Sequence, residues 1–151
     1  MVAERVENMT KLLVIIDMQN DFVTGVLGSA AAEMIVDRVK EKVERYAREN
    51  NPVLFTMDTH QREDYTEENL TQESALIPPH CIEGEDGWRL VPALEPLSEG
   101  RRICKPTFLG LTLAQKILDA FGEEVEIELC GVCTDICVVS NALALRAAFT
   151  Y

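Results

Sequence analysis

Strand-like and helix-like segments alternate along this 151-residue chain, which predicts an α/β fold: a doubly wound parallel sheet with helices on both faces. Two further observations point the same way. The apolar runs are short and continuous, as strands buried on both faces must be. Chemically capable polar residues stand directly after those runs, at the strand ends where open α/β sheets bind ligands.

Each element has its own warrant. KLLVII (11–16) is the first strand; it ends at Asp17 and runs into the polar, glycine-punctuated loop DMQNDFVTGVLG. Ser29 is placed to cap a helix reaching about Asn50, with Ile35, Val39, Val43 and Ala47 four apart on one face and charges opposite. Asn50-Asn51-Pro52 stops that helix, and VLFTM (53–57) is a second strand leading into Asp58. From Asp58 to about Ser98 the chain is irregular and acidic; so long a loop in a compact domain is functional or disordered. Arg101 to Cys104 is a third, short strand. Thr112 with Gln115 forms a capping-box pattern, opening a helix whose Leu113, Ile117 and Phe121 face inward and which Gly122 ends. VEIELC (125–130) is a fourth strand, and after the GVCTD turn the chain is helical from Ile136 to the end. Residues 1–10 read as an N-terminal extension and 11–151 as one domain, without repeats or low-complexity tracts.

Composition narrows the function. A chain that is 47% hydrophobic and 26% charged can bury a real core. Its formal charge of −12 argues against nucleic acid or an anionic membrane surface as partner. No apolar run approaches the roughly 20 residues needed to cross a bilayer. The start, MVAERVENMT, lacks the apolar core of a signal peptide. Five cysteines without an export signal point to reduced thiols and a cytoplasmic setting.

Three of those cysteines crowd into CGVCTDICVV (130–139). Cys130-x-x-Cys133 is half of a zinc knuckle, but no second Cys-x-x-Cys or His pair follows, so the zinc reading fails on spacing. Cys130 ends a strand, where a free cysteine behaves as a small hydrophobe. Cys137 falls in the first turn of a helix after a tight strand-to-helix turn. Unpaired amides and the positive dipole end there would lower its pKa, as suits a nucleophile. Such a nucleophile needs a base and a charge beside it, and Asp17 and Lys105 are the candidates. On position alone an alternative stays open: Cys137 fills the core, Asp17 closes a turn and Lys105 is a solvated charge.

IIDMQNDF (15–22), ICKPTF (103–108) and CGVCTDICV (130–138) together resemble the isochorismatase-like cysteine hydrolases, the nicotinamidases among them most closely. The likeness runs from about Lys11 to the end of the chain. It implies a catalytic triad of Asp17, Lys105 and Cys137. Asp17 would accept the thiol proton and Lys105 would hold the ion pair. The Cys137 thiolate would attack an amide carbonyl, ammonia would leave, and water would hydrolyse the thioester. The resemblance also implies a cis Val132–Cys133 bond and an oxyanion hole made of the Cys133 and Cys137 backbone N–H groups.

Both histidines of the chain fall in the long loop, in MDTH (57–60) and ESALIPPHC (73–81), near Asp58 and Glu73. That grouping suits mixed oxygen and nitrogen coordination of a divalent metal. The resemblance implies Asp58, His60, Glu73 and His80 as ligands of one ion beside the triad, with Glu63 and Asp64 as rivals of Glu73. Two carboxylates and two imidazoles suit zinc first, then iron or manganese. In the family the metal receives a pyridine nitrogen, and Phe22 and Ile77 occupy positions lining the ring pocket; Trp88 reads as packing at its rim.

The substrate implied is a small-molecule amide, nicotinamide, deamidated to nicotinate. Other branches of the family take carbamoyl, ureido or vinyl-ether substrates and generally lack the metal site. An idle domain serving as an interaction partner is a further alternative. Family members usually continue past the nucleophile helix with another strand and helix, whereas this chain ends at Tyr151. An open sheet edge is therefore expected, and with it a homo-oligomer.

Overall fold

Five consecutive apolar side chains, Leu12 to Ile16, are fully buried and fix the centre of the molecule. They belong to strand β1 (Thr10–Ile16) of a computed structural model that describes residues 9–69 and 75–149. The other strands are β2 (Val53–Asp58), β3 (Arg102–Lys105) and β4 (Val125–Gly131). All pair in parallel, in the order β3-β2-β1-β4. Side chains alternate across a strand. Leu13 and Ile15 accordingly pack with Val39, Val43 and Phe55 on one face, and Leu12, Val14 and Ile16 with Leu113, Ile117 and Leu145 on the other.

Helices α1 (Asn20–Val23) and α2 (Ala30–Arg48) cover the first face; α3 (Leu113–Phe121) and α4 (Val139–Ala148) cover the second. This is the doubly wound arrangement that the sequence predicts. Among the described residues no helix is long and apolar enough to cross a membrane.

The inner stripe of α2 differs from the expected one. Ala32, Val39, Val43 and Tyr46 are buried, while Ala47 is exposed. Steps of four advance about 40° beyond a full turn each time, so a strict four-residue series drifts off the face and Tyr46 replaces Ala47. The Tyr46 hydroxyl donates to Glu128 of β4 at 2.7 Å. As expected, Ser29 caps α2, its Oγ accepting from the Ala32 N–H at 3.1 Å. Asn50 ends it in the left-handed conformation (φ 57°), which lets the Asn51 N–H reach the Tyr46 carbonyl at 2.8 Å.

The capping box at Thr112 is not formed. Thr112 is already helical in conformation (φ −96°, ψ −4°) and its side chain makes no cap bond. The Leu113 N–H donates instead to the Gly110 carbonyl, and Gln115 bonds Asp119. The final helix is also broken in two: Thr134–Val138 makes one π-helical turn before α4 begins.

The described parts of the long segment after β2 are pinned, not loose. They contain 3₁₀ turns at Arg62–Tyr65 and Glu95–Leu97, and backbone bridges join Gln19 to Leu90 and His60 to Ile82. β4 is an edge strand, buried only at Val125 and half-buried or exposed from Glu126 onward.

Two caps with the same appearance in sequence should thus behave differently. Ser29→Ala should cost about 1 kcal/mol in urea unfolding, and Thr112→Ala less than about 0.5 kcal/mol. Equal losses at the two positions would contradict the cap assignments.

Candidate active site

The carboxyl ends of all four strands meet at one buried cluster. Asp17 follows β1 directly, in the left-handed region (φ 48°) that few residues other than glycine tolerate, which aims its carboxylate into the cluster. Asp58 and Lys105 close β2 and β3 as register partners. Cys137 lies on the π turn after β4. Asp17 and Asp58 are fully buried, Lys105 is 1% exposed and Cys137 4%.

Lys105 Nζ is the hub. It lies 2.7 Å from Asp17 Oδ2, 3.3 Å from Asp58 Oδ1 and 3.7 Å from Cys137 Sγ, and donates to the Thr107 carbonyl at 3.1 Å. Burial alone would lower its pKa, but the two aspartates outweigh this and hold it above the usual lysine value. Asp17 is anchored through Oδ1, which accepts from the Thr56 hydroxyl at 2.7 Å. Its Oδ2 has no well-directed hydrogen bond among the described residues, although the ammonium is close.

The thiol does not follow the expectation of a helix-end thiolate. Burial and the Asp17 charge push the Cys137 pKa up, with Lys105 opposing them. Burial likewise pushes Cys130 up to about 11 and raises Cys133. Burial and Asp58 raise Asp17 as well, against Lys105. The thiol and the carboxyl, both raised beside one ammonium, titrate as a coupled pair.

The turn before Cys137 is tight for a visible reason. Gly131 has φ 137° and pairs with Ile16; a Cβ there would meet the Ile16 carbonyl oxygen at 2.0 Å. The Val132–Cys133 peptide is cis, as the resemblance implies. The Cys133 carbonyl accepts from the Val138 N–H at 3.1 Å, closing the π turn, while the Cys133 amide has no acceptor among the described residues.

Beside this cluster Asp58, His60 and His80 converge, offering ligand atoms all within 4.8 Å of one another. Asp58 Oδ2 lies 3.0 Å from His60 Nε2 and 3.1 Å from His80 Nε2. Burial opposes the Asp58 carboxylate, but its contacts with both imidazoles and the charge of Lys105 outweigh it and hold the carboxyl well below the usual range. His80 Nδ1 faces the Pro78 carbonyl at 2.8 Å, an acceptor only, so that nitrogen carries the hydrogen. Two imidazole nitrogens and a carboxylate oxygen turned toward one another are the mixed nitrogen and oxygen donors that suit a divalent metal, so the residues present fit one. Glu63 is exposed, and Asp64 accepts from the Gln61 amide; neither joins the group. Glu73 lies outside the described residues. Phe22 meets the His80 ring edge-on at 5.4 Å between centroids, and Ile77 is half-buried.

Several site residues escape the sequence reading. Buried Gln19 donates through Nε2 to the Asp58 and Trp88 carbonyls (2.8 and 2.7 Å) and accepts from the Asp58 N–H (2.7 Å). Trp88 is therefore tied into the site, its indole N–H also donating to Thr59. Asn141 holds the Cys137 and Phe108 carbonyls and the Gly110 N–H. Its four-residue spacing from Cys137, with Leu145 four further, marks a polar residue on an inward face and could have revealed it. Tyr65 places its hydroxyl 3.2 Å from His80 Nδ1.

A buried cysteine, carboxylate and ammonium thus stand beside a two-histidine, one-aspartate group that could hold a metal ion. Residues 11–148 match the isochorismatase domain model, and the chain belongs to the isochorismatase family. It is 33% identical to nicotinamidase 1 of Arabidopsis thaliana over 89% of this chain and 60% of that protein. Among solved structures it is similar to the nicotinamidase/pyrazinamidase PncA of Bacillus subtilis (TM-score 0.78, 29% identity, 92% of this chain and 80% of that one). It is equally similar in fold to the N-carbamoylsarcosine amidase of Thermoplasma acidophilum (TM-score 0.78, 28% identity, 92% and 77%).

Gln19→Leu should remove three hydrogen bonds, two of them buried, at little change in volume and lower stability by roughly 2 kcal/mol or more in urea unfolding. A loss under about 0.5 kcal/mol would contradict the role given to this side chain.

Proposed function

We propose that this protein is an amidohydrolase that deamidates nicotinamide to nicotinate and ammonia through a Cys137 thioester. The observation that carries the reading is the buried Asp17–Lys105–Cys137 cluster standing next to Asp58, His60 and His80. In the proposed reaction the Cys137 thiol passes its proton to Asp17 Oδ2, the oxygen without a directed hydrogen bond. Lys105 stays charged throughout, so the cluster's total charge is unchanged while the thiolate forms. Sγ attacks the carboxamide carbon, and the amides of Cys133 and Cys137 receive the oxyanion. Asp17 then returns the proton to the leaving nitrogen, ammonia departs, and water activated by the freed carboxylate cleaves the thioester.

Asp58, His60 and His80 are the residues that would hold a divalent ion, zinc before iron or manganese, with Glu73 as a fourth ligand. When bound, such an ion supplies a Lewis-acid position for the pyridine nitrogen, which orients the ring. Phe22 and Ile77 would flank that ring.

The likeness to a carbamoylsarcosine amidase supports a second substrate class, N-carbamoyl amino acids, on the same nucleophile. Ammonia release by purified protein from nicotinamide, N-carbamoylsarcosine and benzamide separates the two. The expected order has nicotinamide far ahead of both; N-carbamoylsarcosine ahead would overturn the substrate assignment.

Two sets of variants test the roles. Cys137→Ala and Asp17→Asn should each lower kcat/KM roughly a thousandfold or more, and the double variant hardly further, because the residues act as a unit. Cys133→Ala should keep most activity, since only its backbone is used; an inactive but folded Cys133→Ala would show the wrong cysteine was chosen. His60→Ala should lower bound metal and raise KM for nicotinamide together. Metal content below a tenth of an equivalent in fully active wild-type protein would sink the metal assignment.

A further inference from the structure

The two halves of the site share one carboxylate. Asp58 turns Oδ2 to the imidazoles of His60 and His80 at 3.0 and 3.1 Å, and Oδ1 to Lys105 Nζ at 3.3 Å. Lys105 in turn sits closer to Asp17, at 2.7 Å from Oδ2. All five side chains are buried, so little solvent screens these charges from one another.

We propose that Lys105 is an electrostatic counterweight to the metal ion: ammonium and ion draw on the same Asp58 carboxylate, and Asp17 decides how much of it Lys105 leaves free. This rests on the metal reading of Asp58, His60 and His80 and adds to it a coupling between ion affinity and the nucleophile's charge partners. The reasoning is one of signs. A positive charge beside a ligand carboxylate weakens that ligand toward a second cation, and a negative charge that engages the first cation restores it. Coupling of this kind is reciprocal, so whatever alters the hold of Lys105 on Asp58 alters the affinity for the ion.

The substitutions therefore act in opposite directions. Lys105→Met removes the competing charge and should tighten binding of zinc or manganese ions by about tenfold. Asp17→Asn releases Lys105 toward Asp58 and should weaken binding by a similar factor. A merely damaged fold would weaken both. Lys116→Met, an exposed lysine on α3, is the control and should change nothing.

The measurement is competition of the purified chain against a metallochromic chelator for zinc and, separately, manganese ions, with urea unfolding run on each variant. Tightening in Lys105→Met with weakening in Asp17→Asn supports the proposal. Unchanged or weaker binding in a cooperatively folded Lys105→Met overturns it while leaving the metal site standing. If Lys105→Met does not fold, Lys105→Gln takes its place: tighter binding supports the proposal, equal or weaker binding overturns it. Absence of any binding by the wild-type protein overturns the metal reading and the coupling with it.

Discussion

A buried ammonium must be compensated, and the position of Lys105 governs much of this structure. Taking an ammonium out of water costs several kcal/mol, and breaking a buried pair by deleting one partner costs roughly 3–5 kcal/mol. Lys105 meets that requirement with two carboxylates from two other strands, Asp17 after β1 and Asp58 at the end of β2. The register of β2 with β3 sets Asp58 directly beside Lys105. Thr56 and Gln19 then hold each carboxylate or its backbone in place. The sheet order β3-β2-β1-β4 brings the fourth contributor, the turn carrying Cys137, in from the other side of β1.

The same charges set what the thiol can do. Burial first, and then the two carboxylates that face the one ammonium, oppose a negative charge on Cys137, and its pKa is raised rather than lowered. In the proposed reaction, proton transfer to Asp17 avoids the conflict because no net charge is added. In this account the site gains its reactivity from a proton moving between two raised groups, with Lys105 fixed. The helix end, which the sequence reading takes as the source of acidity, is a π turn with a lesser part.

Much of this was legible in the sequence because it rests on strand ends. Short apolar runs ending at Asp17, Asp58 and near Lys105 are local signals, and three-dimensional closure of a parallel sheet brings such ends together. The Asp58 and His60 pair is legible for the same reason, two residues apart at the close of β2. What stayed hidden depends on contacts distant in sequence. Gln19 reads as one more polar residue of DMQNDF; only β2 and the Trp88 loop, 39 and 69 residues away, reveal its use. Thr112 looks like a cap, yet the Gly110 turn satisfies the helix start first. Tyr46 displaces Ala47 because helical period, not a fixed step of four, decides which side chain faces β4.

The central claim is that Cys137 carries the acyl group during turnover. Acid-quenching a reaction with nicotinamide in the steady state, followed by peptide mass mapping, tests it directly. The account predicts a nicotinoyl thioester on the peptide containing Cys137, absent when Asp17 is replaced by Asn. Turnover of nicotinamide by Cys137→Ala protein, or an acyl group found on Cys130 or Cys133 instead, would contradict it.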